Sequence, residues 1–235
     1  MIWHDLECGG YTADLAFWRT LASARGGPVL DIGAGTGRVT LDLARTGVEV
    51  TALDNDPDLL AELGRRAGGL PVVTVCADAR AFALPERFAL CLAPMQTIQL
   101  LGGAGGRAGF WQCARRHLAP GGLLAAAIAD ELDPFDVATG ALAPLPDVCE
   151  HDGVVYSSLP TAVRADAGGF VLEREREIVD RDGTLTRAQD RIRLDDVSAD
   201  QLEAEAQAAG LNKVGRAEIA ATEDHVGSRV VMFSG

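Results

Sequence analysis

The amino-acid sequence predicts an α/β fold, in which helices cover both faces of a largely parallel β-sheet. Two observations carry this prediction. Short, continuous apolar runs alternate with helix-like segments through residues 27–130, and such runs are typical of strands that are buried on both faces. The chain of 235 residues is also long enough to bury one sizeable hydrophobic core, but short for two independent domains.

Five apolar runs are the strand candidates of this sheet. They lie at residues 29–32, 48–53, 72–76, 88–92 and 123–129. Helices are expected between them at Gly37–Arg45, after Asp56 and around Phe110. The second of these begins with Asp56 and Pro57, and an acidic N-cap followed by proline is a common helix start. The spacing of apolar residues predicts a further amphipathic helix over Tyr11–Ala24, before the first strand.

The pattern changes after residue 130. Residues 131–152 contain three prolines and predict a long connection, a kind of segment that is often functional. Antiparallel strands are expected next, at residues 154–159, 169–179 and 185–194. A capping box of Ser198 and Gln201 predicts a helix that ends near Gly210, and two strands at 214–219 and 228–233 are expected to close the chain.

The hairpin near residue 182 has two conceivable registers. A two-residue turn would place Arg174 opposite Arg191, and like charges at paired positions repel. A three-residue loop over residues 181–183 instead places Glu173 opposite Arg191, and it also aligns the apolar residues of both strands. We therefore predict the three-residue loop, with Gly183 in the left-handed conformation of a bulged turn.

Composition narrows the class of protein. With 48% hydrophobic and 23% charged residues, the chain is ordinary for a globular protein. Its 21 basic and 34 acidic residues give a net charge of −13, which argues against a surface for nucleic acid. Five cysteines without a CxxC pair predict reduced thiols and a cytoplasmic location. The longest apolar run, Leu123–Ala129, is too short to cross a membrane, so no membrane partner is expected.

The strongest motif is the segment VLDIGAGTGR, Val29–Arg38. Glycines at alternate positions after a strand allow a tight turn and a close approach of a ligand to the backbone. A dinucleotide fingerprint would place its third small residue at Arg38, and Asp31 would lie near a pyrophosphate, so both residues count against NAD. A phosphate-binding P-loop is excluded because no Gly-Lys-Ser/Thr sequence follows the glycines.

This segment resembles motif I of the class I S-adenosylmethionine-dependent methyltransferases. The resemblance covers about residues 25–130 and includes Asp54 after the second strand, Ala77-Asp78-Ala79 after the third, Ala93-Pro94-Met95-Gln96 after the fourth, and Leu118–Gly122 before the fifth. It implies a Rossmann-like three-layer sandwich. Its seven-stranded, mostly parallel sheet has an antiparallel last strand, and a small antiparallel β extension accompanies it. The implied cofactor is S-adenosylmethionine, with S-adenosylhomocysteine as its product.

The resemblance also implies the roles of individual residues. Asp31 is expected to attract the amino group of the cofactor, Asp54 to bind both ribose hydroxyls and Asp78 to contact the adenine amino group. Tyr11 or Arg38 would meet the methionine carboxylate. The cofactor-binding candidates are Tyr11, Asp31, Gly33, Ala34, Gly35, Gly37, Arg38, Asp54, Asn55, Ala77, Asp78, Ala79, Ala93 and Met95.

The acceptor side is less defined by the sequence. Met95, Gln96 and His151 are the candidates for substrate contacts, no catalytic base is assigned, and no His or Cys spacing predicts a metal site. The chain is interpreted as one methyltransferase domain acting on a small molecule. Its parts are a lid helix (1–26), a cofactor-binding core (27–130), a substrate-covering insertion (131–197) and a closing segment (198–235). The strands of the insertion are long and of similar length, and such a sheet is compatible with a homodimer surface.

Two other functions remain open from the residues alone. An NAD(P)-dependent oxidoreductase would use a similar sheet, although Asp31 and the early Gly37 disfavour it. A non-catalytic module that binds S-adenosylmethionine is also compatible with the sequence, because methyl transfer needs no diagnostic base.

Overall fold

The computed structural model describes residues 1–129, 132–222 and 225–235. The chain divides into two compact units. The α/β unit comprises Tyr11–Asp130 and Val197–Gly235, and the antiparallel unit comprises Met1–Gly10 and Glu131–Asp196. None of the helices in the described part of the chain is long and apolar enough to cross a membrane.

The secondary structure follows the predicted alternation. The α-helices are α1 (Ile2–Cys8), α2 (Leu15–Arg25), α3 (Arg38–Ala44), α4 (Pro57–Ala67), α5 (Gly103–His117) and α6 (Ala199–Ala208). The strands are β1 (Val29–Ile32), β2 (Val50–Asp54), β3 (Val72–Cys76), β4 (Phe88–Ala93), β5 (Leu118–Ile128), β6 (Phe135–Asp136), β7 (Asp147–His151), β8 (Val154–Asp166), β9 (Gly169–Val179), β10 (Leu185–Asp195), β11 (Asn212–Ile219) and β12 (Ser228–Ser234). Short 3-10 helices lie at Thr97–Leu100 and Val137–Thr139.

The α/β unit contains a seven-stranded sheet with the order β11-β12-β5-β4-β1-β2-β3. The five strands β5, β4, β1, β2 and β3 pair in parallel with their neighbours in this order. Strand β12 runs antiparallel to both β5 and β11. Strand β1 is buried along its whole length, as expected for a central strand covered on both faces. The predicted fold class, with its antiparallel last strand, is confirmed.

Two apolar clusters account for the two covered faces of this sheet. One is centred on Trp111 and Phe110 of α5 and includes Leu202 of α6. The other includes Trp18 of α2 and Leu43 of α3. Burial of such large side chains provides the main driving force for packing helices on a sheet.

The antiparallel unit confirms the predicted hairpin register. Glu173 lies opposite Arg191 and forms an ion pair with it at 2.9 Å. Gly183 adopts a φ angle of +85°, the left-handed conformation expected for the bulged turn. The sheet has the order β10-β9-β8-β6, and β7 pairs separately with β8.

Several predicted boundaries differ from the structure. Helix α2 begins at Leu15, so Tyr11 precedes it, and the segment 1–26 contains a second helix, α1, that belongs to the antiparallel unit. Strand β8 extends to Asp166, well past the predicted end at Leu159. The predicted connection over 131–152 contains β6, which has only two residues, and β7, whose five residues include two acids and a histidine and so form no apolar run.

Candidate functional site

The glycines of the strand-to-helix turn after β1 have a structural reason to be glycine. Gly33, Gly35 and Gly37 have φ angles of +79°, +54° and +94°, a region that side chains with a Cβ atom rarely adopt. A Cβ atom on Gly33 would lie 2.5 Å from the Cγ2 atom of Thr97, and one on Gly37 would lie 2.2 Å from the Cδ1 atom of Leu63. The turn therefore packs closely against two neighbouring segments, with Gly33 exposed and Gly35 and Gly37 buried.

Asp31 lies in the middle of this site as a buried carboxylate. Asp31 is only 1% exposed, and this burial raises the pKa of its carboxyl group to about 6. The Thr40 hydroxyl donates to its Oδ2 atom over 2.6 Å. Its Oδ1 atom is buried and has no hydrogen-bond partner within the described residues. An acceptor in this state costs free energy unless a donor reaches it.

Tyr11 presents a second unsatisfied polar atom in the same unit. Its hydroxyl oxygen is buried without a hydrogen-bond partner among the residues that the structure describes. Burial raises the pKa of Tyr11, and Ser228 lies close enough to oppose that shift without forming a hydrogen bond of normal geometry. The ring also contacts His225, with the ring centroids 5.1 Å apart.

Arg38 connects these two residues electrostatically. Its guanidinium group lies 5.2 Å from the centroid of the Tyr11 ring and also acts on the charge of Asp31. The group donates to the backbone oxygen of Tyr11 over 2.8 Å and forms two hydrogen bonds with the carboxylate of Asp14. Asp14 is itself buried and accepts from the indole nitrogen of Trp18. This network, which sequence reasoning missed, fixes the residues before α2 against the start of α3.

Asp54 stands at the end of β2, where the sequence places it. Its Oδ2 atom accepts from the backbone nitrogen of Gly35 over 2.8 Å, and its Oδ1 atom accepts from that of Asp56 over 3.0 Å. The backbone oxygen of Asp54 accepts from Ala77 over 2.9 Å. The carboxylate is therefore oriented by the glycine turn, and the residues after β3 lie directly beside it.

Asp78 follows β3 and is held by a neighbour in the chain. Arg80 donates to its carboxylate from the backbone nitrogen and from two guanidinium nitrogens, at distances of 2.6–3.0 Å. These hydrogen bonds hold the pKa of Asp78 below its usual value. The signal for this arrangement was present in sequence as an Asp-x-Arg turn, but only the structure shows the pairing.

The segment after β4 completes the carboxyl edge of the sheet. Ala93 is fully buried, and Ala34 of the glycine turn is also buried. Met95 has a φ angle of +54°, a strained conformation for a residue with a side chain and one that is frequent at functional sites. Gln96 directly precedes the 3-10 helix at Thr97–Leu100. The ends of β1, β2 and β4 are neighbours because these strands pair in parallel.

The predicted substrate residue His151 belongs to the antiparallel unit. It ends β7, its side chain is 61% exposed, and its ring nitrogen lies 3.7 Å from a carboxylate oxygen of Asp152. Its role stays a prediction. The remaining predicted site residue, Asn55, follows Asp54, and its backbone oxygen lies 3.9 Å from the sulfur of Cys76.

Comparisons with known proteins agree with this architecture. Residues 29–122 match the family described as a methyltransferase domain. No curated protein matches the chain in sequence. The glycopeptide N-methyltransferase MtfA is 25% identical, with a TM-score of 0.64 over 96% of this chain and 91% of MtfA.

Two further solved structures share the fold at lower identity. CalS10, an amino pentose methyltransferase from Micromonospora echinaspora with bound S-adenosylmethionine, is 20% identical, with a TM-score of 0.74 over 100% of this chain and 97% of CalS10. The sugar N-methyltransferase KedS8 from a Streptoalloteichus species is also 20% identical, with a TM-score of 0.75 over 98% of this chain and 90% of KedS8.

The sheet order, with its antiparallel last strand, is that of a Rossmann-like methyltransferase fold. Residues 29–122 match the methyltransferase-domain family, and the chain shares its fold with solved methyltransferases along almost its whole length. The family and enzyme class predicted from the sequence are confirmed.

Proposed function

We propose that the α/β unit holds S-adenosylmethionine through the residues at its carboxyl sheet edge and directs its methyl group to a small-molecule amine. One observation carries the site assignment. The buried Oδ1 atom of Asp31 lacks a donor and the buried hydroxyl of Tyr11 lacks a partner. The methionine part of the cofactor offers an ammonium donor for the first and a carboxylate acceptor for the second, so the two requirements are complementary.

The remaining candidates fit the nucleoside part. Asp54 is oriented by two backbone N–H groups, and a carboxylate retains further lone pairs that can accept both ribose hydroxyls. Asp78, kept ionised by Arg80, supports a contact with the adenine amino group. Gly33 of the glycine turn is exposed, and Asn55, Ala77 and Ala79 follow the neighbouring strands β2 and β3. These roles are proposals that follow from the resemblance and from the chemistry of each group.

Charge supports a cationic ligand over a dinucleotide. The charges of Asp54 and Asp14 both act to raise the pKa of Asp31, and Arg38 is the cation that acts to lower it. Because Arg38 is paired with Asp14, this group of residues carries a surplus of negative charge. A sulfonium with an ammonium group is attracted by such a site, whereas a pyrophosphate is repelled.

When bound, the cofactor supplies a methyl group activated by its sulfonium, and the protein's part is alignment. In-line transfer depends on holding the acceptor atom and the methyl donor in a near-attack geometry, which can lower the barrier by about 7–11 kcal/mol. We assign Met95 and Gln96, in the strained segment after β4, to the acceptor side. The similarity to MtfA, CalS10 and KedS8, which are described as acting on a glycopeptide, an amino pentose and a sugar, favours an amine of a hydroxylated small molecule as acceptor.

The function is tested by product formation. Purified protein is incubated with methyl-labelled S-adenosylmethionine and a panel of amino sugars and other small amines, and labelled product is detected by mass spectrometry. We expect transfer to at least one hydroxylated amine. Asp54→Ala should weaken S-adenosylhomocysteine binding at least tenfold, whereas Asp58→Ala, an exposed residue in the first turn of α4, should leave it unchanged. An unchanged affinity of the Asp54 variant would remove Asp54 from the site.

We also propose roles for the segments and a location. The antiparallel unit, with residues 131–196, takes the part of the substrate-covering insertion, while residues 27–130 hold the cofactor. Five cysteines, all free, fit a reducing compartment such as the cytoplasm. Homodimer formation remains a prediction, which light scattering of the purified chain would decide.

A further inference from the structure

The antiparallel unit contains a buried polar network that is incomplete at one end. Strand β9 carries Arg174 and Arg176 on one face, because residues two apart in a strand point to the same side. Helix α1 lies against β7 and β8 and brings Glu7 to this network. The polar groups gathered here are Glu7, Asp147, Ser158, Arg174, Arg176 and Asp190.

At one end of this network, the Glu7 carboxylate accepts three hydrogen bonds. Arg176 donates two hydrogen bonds to the Glu7 carboxylate, at 2.7 and 2.8 Å, and Ser158 donates a third at 2.7 Å. Burial opposes ionisation of Glu7, but these hydrogen bonds hold its pKa below the usual value. The indole ring of Trp3 covers the Arg176 guanidinium at 5.2 Å. Arg176 is therefore fixed in place, and it also donates to the Oδ1 atom of Asp190 over 2.9 Å.

The other end lacks hydrogen-bond partners at three buried atoms of the described residues. Arg174 lies directly opposite Asp190 in the sheet, and its side chain is only 13% exposed. Its Nε and Nη1 atoms are buried without a hydrogen bond, and so is the Oδ2 atom of Asp190, as far as the described residues extend. The nearest carboxylate to Arg174, that of Asp147, is 3.6 Å from Nη1, which is an ion pair but too long for a hydrogen bond.

The missing partner must satisfy donors and an acceptor at once. A phosphate or carboxylate could accept from Arg174 but would be repelled by Asp190, and an ammonium could donate to Asp190 but would be repelled by Arg174. A hydroxyl group does both, because it has one donor hydrogen and two acceptor lone pairs. Glu7 and Asp190 balance the charges of Arg174 and Arg176, and Asp147, whose side chain is 45% exposed, adds one negative charge at the edge of the cluster.

We propose that Arg174 and Asp190 form a subsite for a neutral hydroxyl group, in which Arg174 donates to the hydroxyl oxygen and Asp190 accepts its hydrogen. A water molecule can occupy such a place and be displaced by a ligand hydroxyl that reproduces its hydrogen bonds. The subsite selects polyhydroxylated, uncharged groups such as sugar rings. Only the assignment of this hydroxyl to the methyl acceptor rests on the proposed function.

The direct test is a titration of the full chain labelled with ¹⁵N-arginine. The Nε–H resonance of Arg174 is assigned by its loss in Arg174→Lys, and methyl glucopyranoside and inorganic phosphate are added in separate titrations. We expect a saturable shift of this resonance with the glycoside and no saturable shift with phosphate. No shift with the glycoside would mean that ordered water alone completes the network and would overturn the proposal, as would a saturable shift with phosphate.

Variants give a second, independent measure. Asp190→Asn keeps the side-chain shape but offers no carboxylate, and it should weaken glycoside binding at least fivefold. Arg191→Lys, on the neighbouring and largely exposed position of β10, should leave glycoside binding unchanged. Equal affinities of the wild type and Asp190→Asn would contradict the subsite. Binding of S-adenosylhomocysteine is measured in parallel. A wild-type protein that does not bind S-adenosylhomocysteine would refute the proposed function, whereas the glycoside titrations alone decide whether the subsite exists.

Discussion

Replacing Asp31 by asparagine should separate the stability of the fold from its affinity for the cofactor. The pKa of Asp31 is raised by burial from 3.8 to about 6. The folded state therefore disfavours the ionised carboxylate. The stability that depends on its protonation is fully present below pH 4 and is lost as the pH rises through 6. A shift of about two units corresponds to about 3 kcal/mol, since each unit is worth about 1.4 kcal/mol.

Asparagine cannot ionise, so the variant escapes this penalty. Its side-chain oxygen can still accept from the Thr40 hydroxyl, which donates to Asp31 in the wild type. At pH 8 we expect the free energy of unfolding of Asp31→Asn to exceed that of the wild type by about 1–3 kcal/mol in urea denaturation. At pH 4 the two proteins should have nearly equal stability.

Cofactor affinity should change in the opposite direction. If ionised Asp31 holds the ammonium group, S-adenosylhomocysteine binds the deprotonated form, and only about one tenth of Asp31 is ionised at pH 5. Calorimetry of the wild type should therefore show about tenfold weaker binding at pH 5 than at pH 7. Asp31→Asn should bind roughly 10- to 100-fold more weakly at pH 7, because a charged hydrogen bond is lost, and its affinity should not vary between pH 5 and 7.

A second carboxylate provides the control for this experiment. Asp54→Asn should weaken S-adenosylhomocysteine binding at every pH and keep a pH dependence, because Asp31 still titrates, but this dependence should move to lower pH, because the Asp54 charge helps to raise the pKa of Asp31. A wild-type affinity that is flat from pH 5 to 7 would refute the ammonium contact. An asparagine variant with wild-type affinity would refute it as well.

Three further substitutions test the scaffold around the site by urea denaturation. Gly33→Ala should lower the free energy of unfolding by about 2–5 kcal/mol, because it combines a left-handed φ of +79° with a clash against Thr97. The control Gly47→Ala, also left-handed but in open space, should lower it by only about 1–2 kcal/mol. Equal losses in the two variants would show that the close packing at Gly33 is unimportant. Asp14→Ala leaves Arg38 without its buried carboxylate and should cost about 3–5 kcal/mol, so a loss below 1 kcal/mol would argue against the network. Ser198→Ala removes the capping box of α6 and should cost about 1 kcal/mol, with no change in S-adenosylhomocysteine affinity.

The elements that sequence predicts well are those with a local physical cause. The five parallel strands are continuous apolar runs, and the register of the β9–β10 hairpin follows from pairing Glu173 with Arg191 rather than two arginines. Short elements escape detection: α1 has seven residues and no side-chain cap, and β6 has two residues. Neither length is enough to show a hydrophobic period.

The site divides in the same way. The acids at the strand ends and the alternate glycines are local in sequence, so a motif can indicate them. The pairing of Arg38 with Asp14 joins residues 24 positions apart, and the incomplete pairing of Arg174 with Asp190 depends on which atoms remain without partners. Such properties arise only when the tertiary structure brings distant side chains together, and the sequence alone does not contain a local signal for them.

The central claim is that the buried, unsatisfied atoms of Asp31 and Tyr11 hold the methionine part of the cofactor. A crystal structure of the chain with S-adenosylhomocysteine tests it most directly. We expect the ammonium group within hydrogen-bond distance of the Asp31 Oδ1 atom, the carboxylate at the Tyr11 hydroxyl and the ribose hydroxyls on Asp54. A complex in which the ligand lies away from Asp31 and Tyr11, with both atoms still unsatisfied, would contradict the account.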